Sequence, residues 1–173
     1  LVLFDHFGSM DDDDVINRIR YMAKGCDCKW VFVDHLSLII SGRDDGNERK
    51  AIDILMTKLR SLCHESKIGM LLACHLRRLD NDKGHEEGKQ VSLSHLRGSH
   101  SIAQLSDAVI GMERNQQDDD EIAKNTSTIR VLKNRYAGTT GVGSYLLYST
   151  ENGRMTEIDN PFKENADEFE TQE

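Results

Sequence analysis

Three short apolar runs in the first half of the chain predict buried β-strands. They cover residues 1–4, 30–33 and 68–74, and their apolar residues are continuous rather than alternating with polar ones. Continuous runs of this length are typical of strands in a parallel sheet, where helices cover both faces. We therefore expect three parallel strands that are buried on both sides.

Two segments between these runs have the spacing of amphipathic helices. Residues 11–24 begin with four acids, which are favourable at a helix N-terminus, and continue with apolar side chains at helical spacing. Residues 47–66 carry a longer apolar stripe of the same period. The order strand, helix, strand, helix, strand predicts an α/β fold with a mostly parallel sheet and right-handed crossovers.

The second half of the chain has a different pattern. Residues 77–94 are rich in charges and have no apolar period, which predicts a long mobile loop. A short helix is expected at 101–106, and strand-like runs follow at 108–112, 128–132 and 143–148. Turns rich in Asp and Gly join these runs, so we expect antiparallel strands that extend the sheet at its C-terminal side.

Length and composition restrict the class of protein. The 173 residues suit one domain, and no apolar run approaches the roughly 20 residues of a membrane span. The chain has no secretory signal pattern, and its four cysteines are too few for a disulfide scaffold, which favours a reducing, intracellular compartment. Because it opens on an apolar run without Met, we expect it to be a fragment of a longer protein.

The negative charge is concentrated at the C-terminus. Residues 159–173 hold six acids against one lysine, and the rest of the chain carries 21 basic and 24 acidic residues. The overall charge of −8 is therefore no argument against a polyanionic ligand. We expect a domain at 1–158 and an acidic, disordered tail at 159–173.

Polar residues end the three predicted parallel strands: Asp5, Asp34 and His75. Ligands of open parallel sheets bind beyond the carboxyl ends of the strands, where these side chains would meet. Asp34 would suit a carboxylate that organises Mg²⁺ beside a nucleotide, and His75 a donor to a phosphate. The simpler alternative is that all three residues only cap turns.

A cationic end is predicted for a later strand. In a regular strand Ile129, Val131, Lys133 and Arg135 point to the same face, which changes from apolar to cationic along its length. A guanidinium held on such a strand suits stabilisation of charge on a transferring phosphoryl group. The alternative is a solvated strand end.

Five ordered motifs resemble the RecA-like, DnaB-type ring helicases. They are most similar to the helicase half of the bifunctional primase-helicases of short-tailed phages, and more distantly to the Twinkle helicases. The motifs are WVFVDHLS (30–37), LLACHL (71–76), LRGSHSIAQLSD (96–107), MERNQQ (112–117) and VLKNRYAG (131–138). The resemblance implies a RecA-like P-loop NTPase core that this chain contains only in part.

The resemblance implies roles at a nucleotide site. Asp34 matches the Walker B carboxylate, which holds Mg²⁺ through a bound water, and His75 matches the phosphate sensor. Arg135 matches an arginine finger that reaches the nucleotide of the neighbouring subunit. Three further residues are implied to lie near the nucleotide: Lys133, Arg114 and Gln104, the last at the junction between the DNA and nucleotide sites.

The resemblance also implies a DNA-binding surface. Arg77 and Lys83 fall in the first loop of the family's central channel, and Arg97 and Gly98 fall in the second. No aromatic residue for base stacking lies in this region, so sequence-independent contact with the DNA backbone is the implied mode.

One motif of a complete NTPase is missing. The chain has no G-x-x-x-x-G-K-[ST], and the glycine-rich stretch at 138–143 lacks the Lys and Ser/Thr that hold phosphates and Mg²⁺. We therefore expect this chain to hold the later half of a motor site and not to hydrolyse NTP by itself.

The implied function is that of a hexameric replicative helicase encoded by a phage and acting in the host cytoplasm. Its implied cofactors are ATP or dTTP with Mg²⁺, and its implied partners are single-stranded DNA, further copies of itself and, through the acidic tail, the replicative DNA polymerase. The alternatives are a recombinase or clock-type ATPase of the RecA superfamily, a non-catalytic binding module, or a metallophosphoesterase. A zinc site has little support, because Cys26-x-Cys28 lacks the spacing of a zinc knuckle.

Overall fold

The chain forms two compact units in a computed structural model. The first unit comprises residues 1–77 and 94–106, and the second comprises 78–93 and 107–173. Within these units, the structure describes residues 1–5, 11–36, 39, 48–77, 84–96 and 100–162.

The first unit combines a parallel strand pair with helices. Its helices are α1 (Asp12–Gly25), α2 (Glu48–Ser66) and α3 (His100–Leu105), and its strands are β1 (Trp30–Val33) and β2 (Gly69–Leu72). The two strands pair in parallel, from Trp30 opposite Gly69 to Val33 opposite Leu72. The predicted order of helix and strand is confirmed from α1 to β2.

The core of the first unit lies between α1 and α2. Helix α1 begins after Asp11, whose carboxylate accepts a hydrogen bond from the Asp13 N–H at 3.0 Å, and acids fill its first turn. The stripe predicted for α2 is buried, as are Val31 of β1 and Ile102 of α3. The fully buried members of this stripe include Ile52, Leu55 and Leu62.

The first apolar run is not a strand, contrary to the prediction. Residues 1–5 have no regular secondary structure, and Leu3 is 82% exposed. A strand is stabilised by backbone hydrogen bonds to a neighbouring strand and by burial of its side chains. Residues 1–5 stay irregular because no strand among the described residues pairs with them.

The expectation that the strands are buried on both faces is also wrong. Strand β1 buries Val31, whereas Trp30 and Phe32 are 64% and 73% exposed. Leu71 of β2 is exposed as well. Because α1 and α2 supply only one packing surface, the opposite apolar face of these strands has no cover within the described part of the unit.

The second unit is an antiparallel sheet, as predicted, but its described strands pair only with one another, so they do not extend the parallel sheet as expected. Its strands are β3 (Ala108–Glu113), β4 (Thr126–Asn134), β5 (Gly141–Tyr148) and β6 (Met155–Ile158), and they pair in that order. A short helix, α4 (Glu121–Asn125), precedes β4. The sequence pattern did not predict α4 or β6.

The segment at 84–93 is fixed to this sheet, so its described part is not the mobile loop that was predicted. The N–H of Gln116 donates to the carbonyl of Glu86 at 2.9 Å. The Val91 side chain is buried and lies so close to Gly111 that a Cβ there would approach it to 3.3 Å. Backbone pairing and one buried side chain hold this charged segment, and neither requires an apolar period.

The last described residues fold back onto the same sheet. The Phe162 ring meets the Tyr145 ring edge-on, with 5.8 Å between their centroids. Residues 163–173 lie outside the described part, so the disordered tail and the domain boundaries stay predictions. No helix among the described residues is long and apolar enough to cross a membrane.

Candidate functional site

Asp34 and His75 lie at the same edge of the first unit, as the sequence predicts. Asp34 directly follows β1, and His75 follows β2 by three residues. The Ala73 N–H donates to the Val33 carbonyl, and the Leu36 N–H donates to the Ala73 carbonyl, both at 3.0 Å. These bonds extend the strand pair past its regular end, so the segments that carry Asp34 and His75 run side by side.

His35 connects the two strand ends through its side chain. Its ring meets the His75 ring edge-on, with 4.1 Å between centroids and 74° between planes. His75 and Asp34 are both exposed, so their polar atoms can reach a ligand. In contrast, burial raises the pKa of the neighbouring Cys74 thiol to about 11, which makes it unreactive at neutral pH.

Asp34 is an exposed carboxylate, a group that fits Mg²⁺ held through a bound water. Within the described part of the chain, no three His, Cys, Asp or Glu side chains cluster to hold a metal ion. Mg²⁺ keeps several waters and is commonly bound by one or two carboxylates together with substrate phosphates. An exposed carboxylate at a strand end meets that requirement. Asp5, the third predicted group, does not follow a strand.

The two predicted DNA-binding loops begin next to each other. Leu76 pairs with Leu96 in an isolated antiparallel bridge, and the Arg77 N–H donates to the His95 carbonyl at 2.9 Å. The exposed Arg77 therefore stands at the base of both loops. The other predicted DNA contacts lie outside the described residues: Lys83, Arg97 and Gly98.

Lys133 and Arg135 lie at the end of β4 in the second unit, but not on the predicted continuous face. Lys133 pairs with Val109 and Val131 pairs with Ile110, so Leu132 is an extra residue in the ladder. Val109 and Ile110 are adjacent on β3 and point to opposite faces. The β-bulge therefore places Val131 and Lys133 on opposite faces of the sheet.

Arg135 is held by Asp107, a residue that the sequence analysis did not single out. The Arg135 N–H donates to the Asp107 carbonyl at 2.8 Å, and its Nη1 lies 3.4 Å from Asp107 Oδ1. The guanidinium remains 43% exposed. The side chain implied to reach a neighbouring subunit is thus both anchored at its base and accessible.

Arg114 is engaged within its own unit. Its Nε donates to the Lys124 carbonyl at 2.7 Å, and its Nη2 donates to Asn125 Oδ1 at 3.0 Å. Arg114 therefore caps the C-terminal end of α4, where carbonyl groups lack helical partners. Its implied place near a nucleotide stays a prediction. So does the role of Gln104, which is exposed on α3.

Glu113 was also missed, although it lies in one of the quoted motifs. It is buried, and its carboxylate accepts from Arg130 Nε at 2.6 Å, from Arg130 Nη2 at 3.0 Å and from the Val91 N–H at 2.8 Å. The signal available in the sequence was a charged residue at the end of an apolar strand. No rule of spacing identifies its partners, which lie 17 and 22 positions away.

Comparison with known proteins decides the family. Residues 2–157 match the DnaB-like helicase C-terminal domain family. This chain belongs to that family. A solved DnaB-like replicative helicase, described together with its interactions with primase, superposes with a TM-score of 0.73 at 19% identity. That match covers 90% of this chain and 37% of the solved one, and it confirms the RecA-like α/β fold.

Two curated relatives of this DnaB-like domain are helicases by name. This chain is 39% identical over 151 residues to a DNA helicase/primase of Enterobacteria phage T3, and the match covers 87% of this chain and 26% of that protein. It is 28% identical over 148 residues to a probable plasmid replicative DNA helicase of Chlamydia psittaci, across 86% of this chain and 31% of that protein. The domain thus spans about a quarter to a third of each relative.

Proposed function

We propose that this DnaB-like domain is the C-terminal part of a replicative DNA helicase that couples NTP hydrolysis to translocation on single-stranded DNA and duplex unwinding. The observation that carries the proposal is that the segments carrying Asp34 and His75 run side by side at the carboxyl edge of β1 and β2. In an open parallel sheet this edge is where a nucleotide binds. A binding module would not need an accessible carboxylate and an accessible imidazole at this edge.

The nucleotide, ATP or dTTP, would lie with its terminal phosphates beside these two residues. Mg²⁺ would neutralise charge that develops on the transferring phosphoryl group, and Asp34 would hold it through a bound water. His75 would donate a hydrogen bond to the terminal phosphate, with its ring oriented by the edge-on contact with His35. The residues that cradle the remaining phosphates would come from another part of the protein.

Arg135 would serve a different nucleotide in a hexameric ring. Its exposed guanidinium would reach the phosphates held by the neighbouring subunit, where a planar donor stabilises the charge of the transition state. Lys133 would add positive charge at the same boundary. Each active site would then be complete only where two subunits meet.

DNA would bind at the loops that begin at Arg77 and Leu96. The Leu76–Leu96 bridge joins the bases of the two predicted loops, and loops that start side by side would suit contact with successive phosphates of a single strand. The acidic tail at 159–173 would contact a replicative polymerase, because six acids beside two phenylalanines suit a basic patch with an apolar pocket. The whole protein would be encoded by a phage and act in the host cytoplasm.

Asp34→Asn in the full-length protein tests the nucleotide site. We expect DNA-stimulated NTP hydrolysis and duplex unwinding to fall at least about 100-fold, because organising the metal contributes several kcal/mol to transition-state stabilisation. NTP binding, measured by equilibrium titration with a labelled nucleotide, should remain within a few-fold of wild type. Binding is expected to persist because most phosphate contacts are made elsewhere.

Asp27→Asn is the matched control for this substitution. Asp27 is also exposed in the first unit, forms a 2.6 Å ion pair with Lys29, and has a positive φ of 54°, which Asn tolerates. The Asp27→Asn variant should hydrolyse NTP and unwind duplex DNA at the wild-type rate. Wild-type hydrolysis by Asp34→Asn would contradict the proposal, and hydrolysis without unwinding by the unmodified protein would favour another ATPase of the RecA superfamily.

A further inference from the structure

Arg135 and Asp107 are joined through both backbone and side chain. Asp107 directly precedes β3, and Arg135 directly follows β4. The backbone bond between them, 2.8 Å long, continues the β3–β4 ladder beyond the pairing of Ala108 with Asn134. The base of the Arg135 side chain is therefore part of the rigid sheet rather than of the loop that follows.

The carboxylate of Asp107 then restricts where the guanidinium can lie. Asp107 Oδ1 is buried and lies 3.4 Å from Arg135 Nη1. The Asp107 side chain is 29% exposed, compared with 43% for Arg135, so the carboxylate lies on the more protected side of the pair. An arginine side chain has several rotatable bonds, and a fixed carboxylate favours the conformations that keep one nitrogen beside it.

We propose that Asp107 is a positioning residue that orients the Arg135 guanidinium for contact with the nucleotide of the neighbouring subunit. This inference rests on the proposed function, because it requires Arg135 to act in the hydrolysis reaction. Asp107 itself touches neither nucleotide nor metal. It acts by holding the donor in the direction from which a phosphate can approach.

The geometry predicts a strong effect on rate and a weak effect on folding. A partly exposed ion pair of this length contributes little to stability, because solvent screens its attraction and the long arginine side chain loses conformational freedom on forming it. Catalysis is more sensitive, since a displacement of about 1 Å in a positioned group can reduce a rate about 100-fold. A residue that matters only for folding would show the opposite pattern.

Asp107→Asn in the full-length protein separates these effects. We expect kcat for DNA-stimulated NTP hydrolysis to fall between about 10-fold and 100-fold, because the guanidinium is less often aligned. The KM for NTP and the midpoint of urea unfolding should stay close to wild type. Asp119→Asn, an exposed carboxylate in the turn before α4, is the matched control and should change neither kcat nor KM.

A double-mutant cycle with Arg135→Ala then identifies the path of the effect. Under single-turnover conditions, where slow residual hydrolysis is still measurable, Asp107→Asn should cause no further loss once Arg135 has been replaced. If the rate losses of the two single variants instead multiply in the double variant, the inference is overturned, because Asp107 would then act independently of Arg135. A wild-type kcat for Asp107→Asn, together with a loss of hydrolysis in Arg135→Ala, would also overturn the inference. That result would leave the arginine finger of the proposed function intact. If Arg135→Ala itself hydrolyses normally, both the arginine finger and the inference are wrong.

Discussion

At the scale of single residues, the second unit depends on a buried ion pair between two strands. Glu113 of β3 is 8% exposed, and Arg130 of β4 donates to both of its carboxylate oxygens. The hydrogen bonds that Arg130 donates to Glu113 raise the pKa of Arg130, so the guanidinium stays charged. The same carboxylate accepts the Val91 N–H, so it also holds the segment that precedes the second predicted DNA loop.

Replacing one partner of this pair should destabilise the protein, and the two replacements should differ. Arg130→Met leaves the more deeply buried Glu113 charged without its guanidinium, which we expect to lower the free energy of unfolding by about 3 kcal/mol. Glu113→Gln should cost less, because Gln still accepts the Val91 N–H and Arg130, at 19% exposure, can regain water. Urea unfolding of both variants measures the difference, and a larger loss for Glu113→Gln would contradict the assignment of the buried charge.

The polar residues at strand ends could be predicted from the sequence, but the carboxylates that pair with residues of a neighbouring strand could not. Asp34 and His75 follow apolar runs whose parallel pairing brings their ends together, so pattern alone placed them at one edge. Asp107 and Glu113 act on partners that become neighbours only through the antiparallel pairing of β3 with β4 and a β-bulge. Their spacing along the chain carries no such information.

At the scale of elements, helices were predicted more accurately than strands. Helices α1 and α2 bury a stripe along their own length, so the period in the sequence is sufficient to locate them. A strand requires a partner, which explains why the apolar run at 1–4 is irregular while the largely exposed residues of β6 form a strand against β5. Helix α4 has five residues and is too short to display a period.

The two predicted DNA loops belong together as elements, because the Leu76–Leu96 bridge joins their bases. We expect Lys83→Ala combined with Arg97→Ala to weaken binding of single-stranded DNA equally for all sequences. The slope of log K against log salt should become shallower by roughly 0.7 for each phosphate contact that is lost. Fluorescence anisotropy titrations at several salt concentrations measure this slope in the full-length protein.

Lys29→Ala is the control for the DNA measurements. Lys29 is exposed in the first unit and forms its ion pair with Asp27, away from the two loops along the chain. Its removal should leave both affinity and slope unchanged. An unchanged slope in the double variant would exclude Lys83 and Arg97 from contact with DNA phosphates.

At the scale of the whole molecule, the proposed active site is divided between subunits. Asp34 and His75 lie in the first unit and Arg135 in the second, and each is accessible at the end of a strand. A ring of identical subunits joined head to tail places a different surface of each copy at every boundary. One surface would then supply Asp34 and His75, and the other would supply Arg135.

This division predicts that two inactive variants restore activity when they are mixed. Arg135→Lys should abolish DNA-stimulated hydrolysis while leaving NTP binding nearly intact, because a donor acting in trans is worth about 10³ to 10⁵ in turnover and Lys lacks the planar fork. Asp34→Asn should reduce hydrolysis at least about 100-fold for a separate reason, the loss of the carboxylate proposed to organise the metal. In a random equimolar ring, roughly a quarter of the boundaries would combine an intact Asp34 from one parent with an intact Arg135 from the other. Hydrolysis should therefore recover in part on mixing, but not in either parent alone.

Subunit exchange is verified by co-purification of an untagged variant with a tagged one. If exchanged rings show no recovery, Arg135 acts within its own subunit, since every subunit would then carry its own defect.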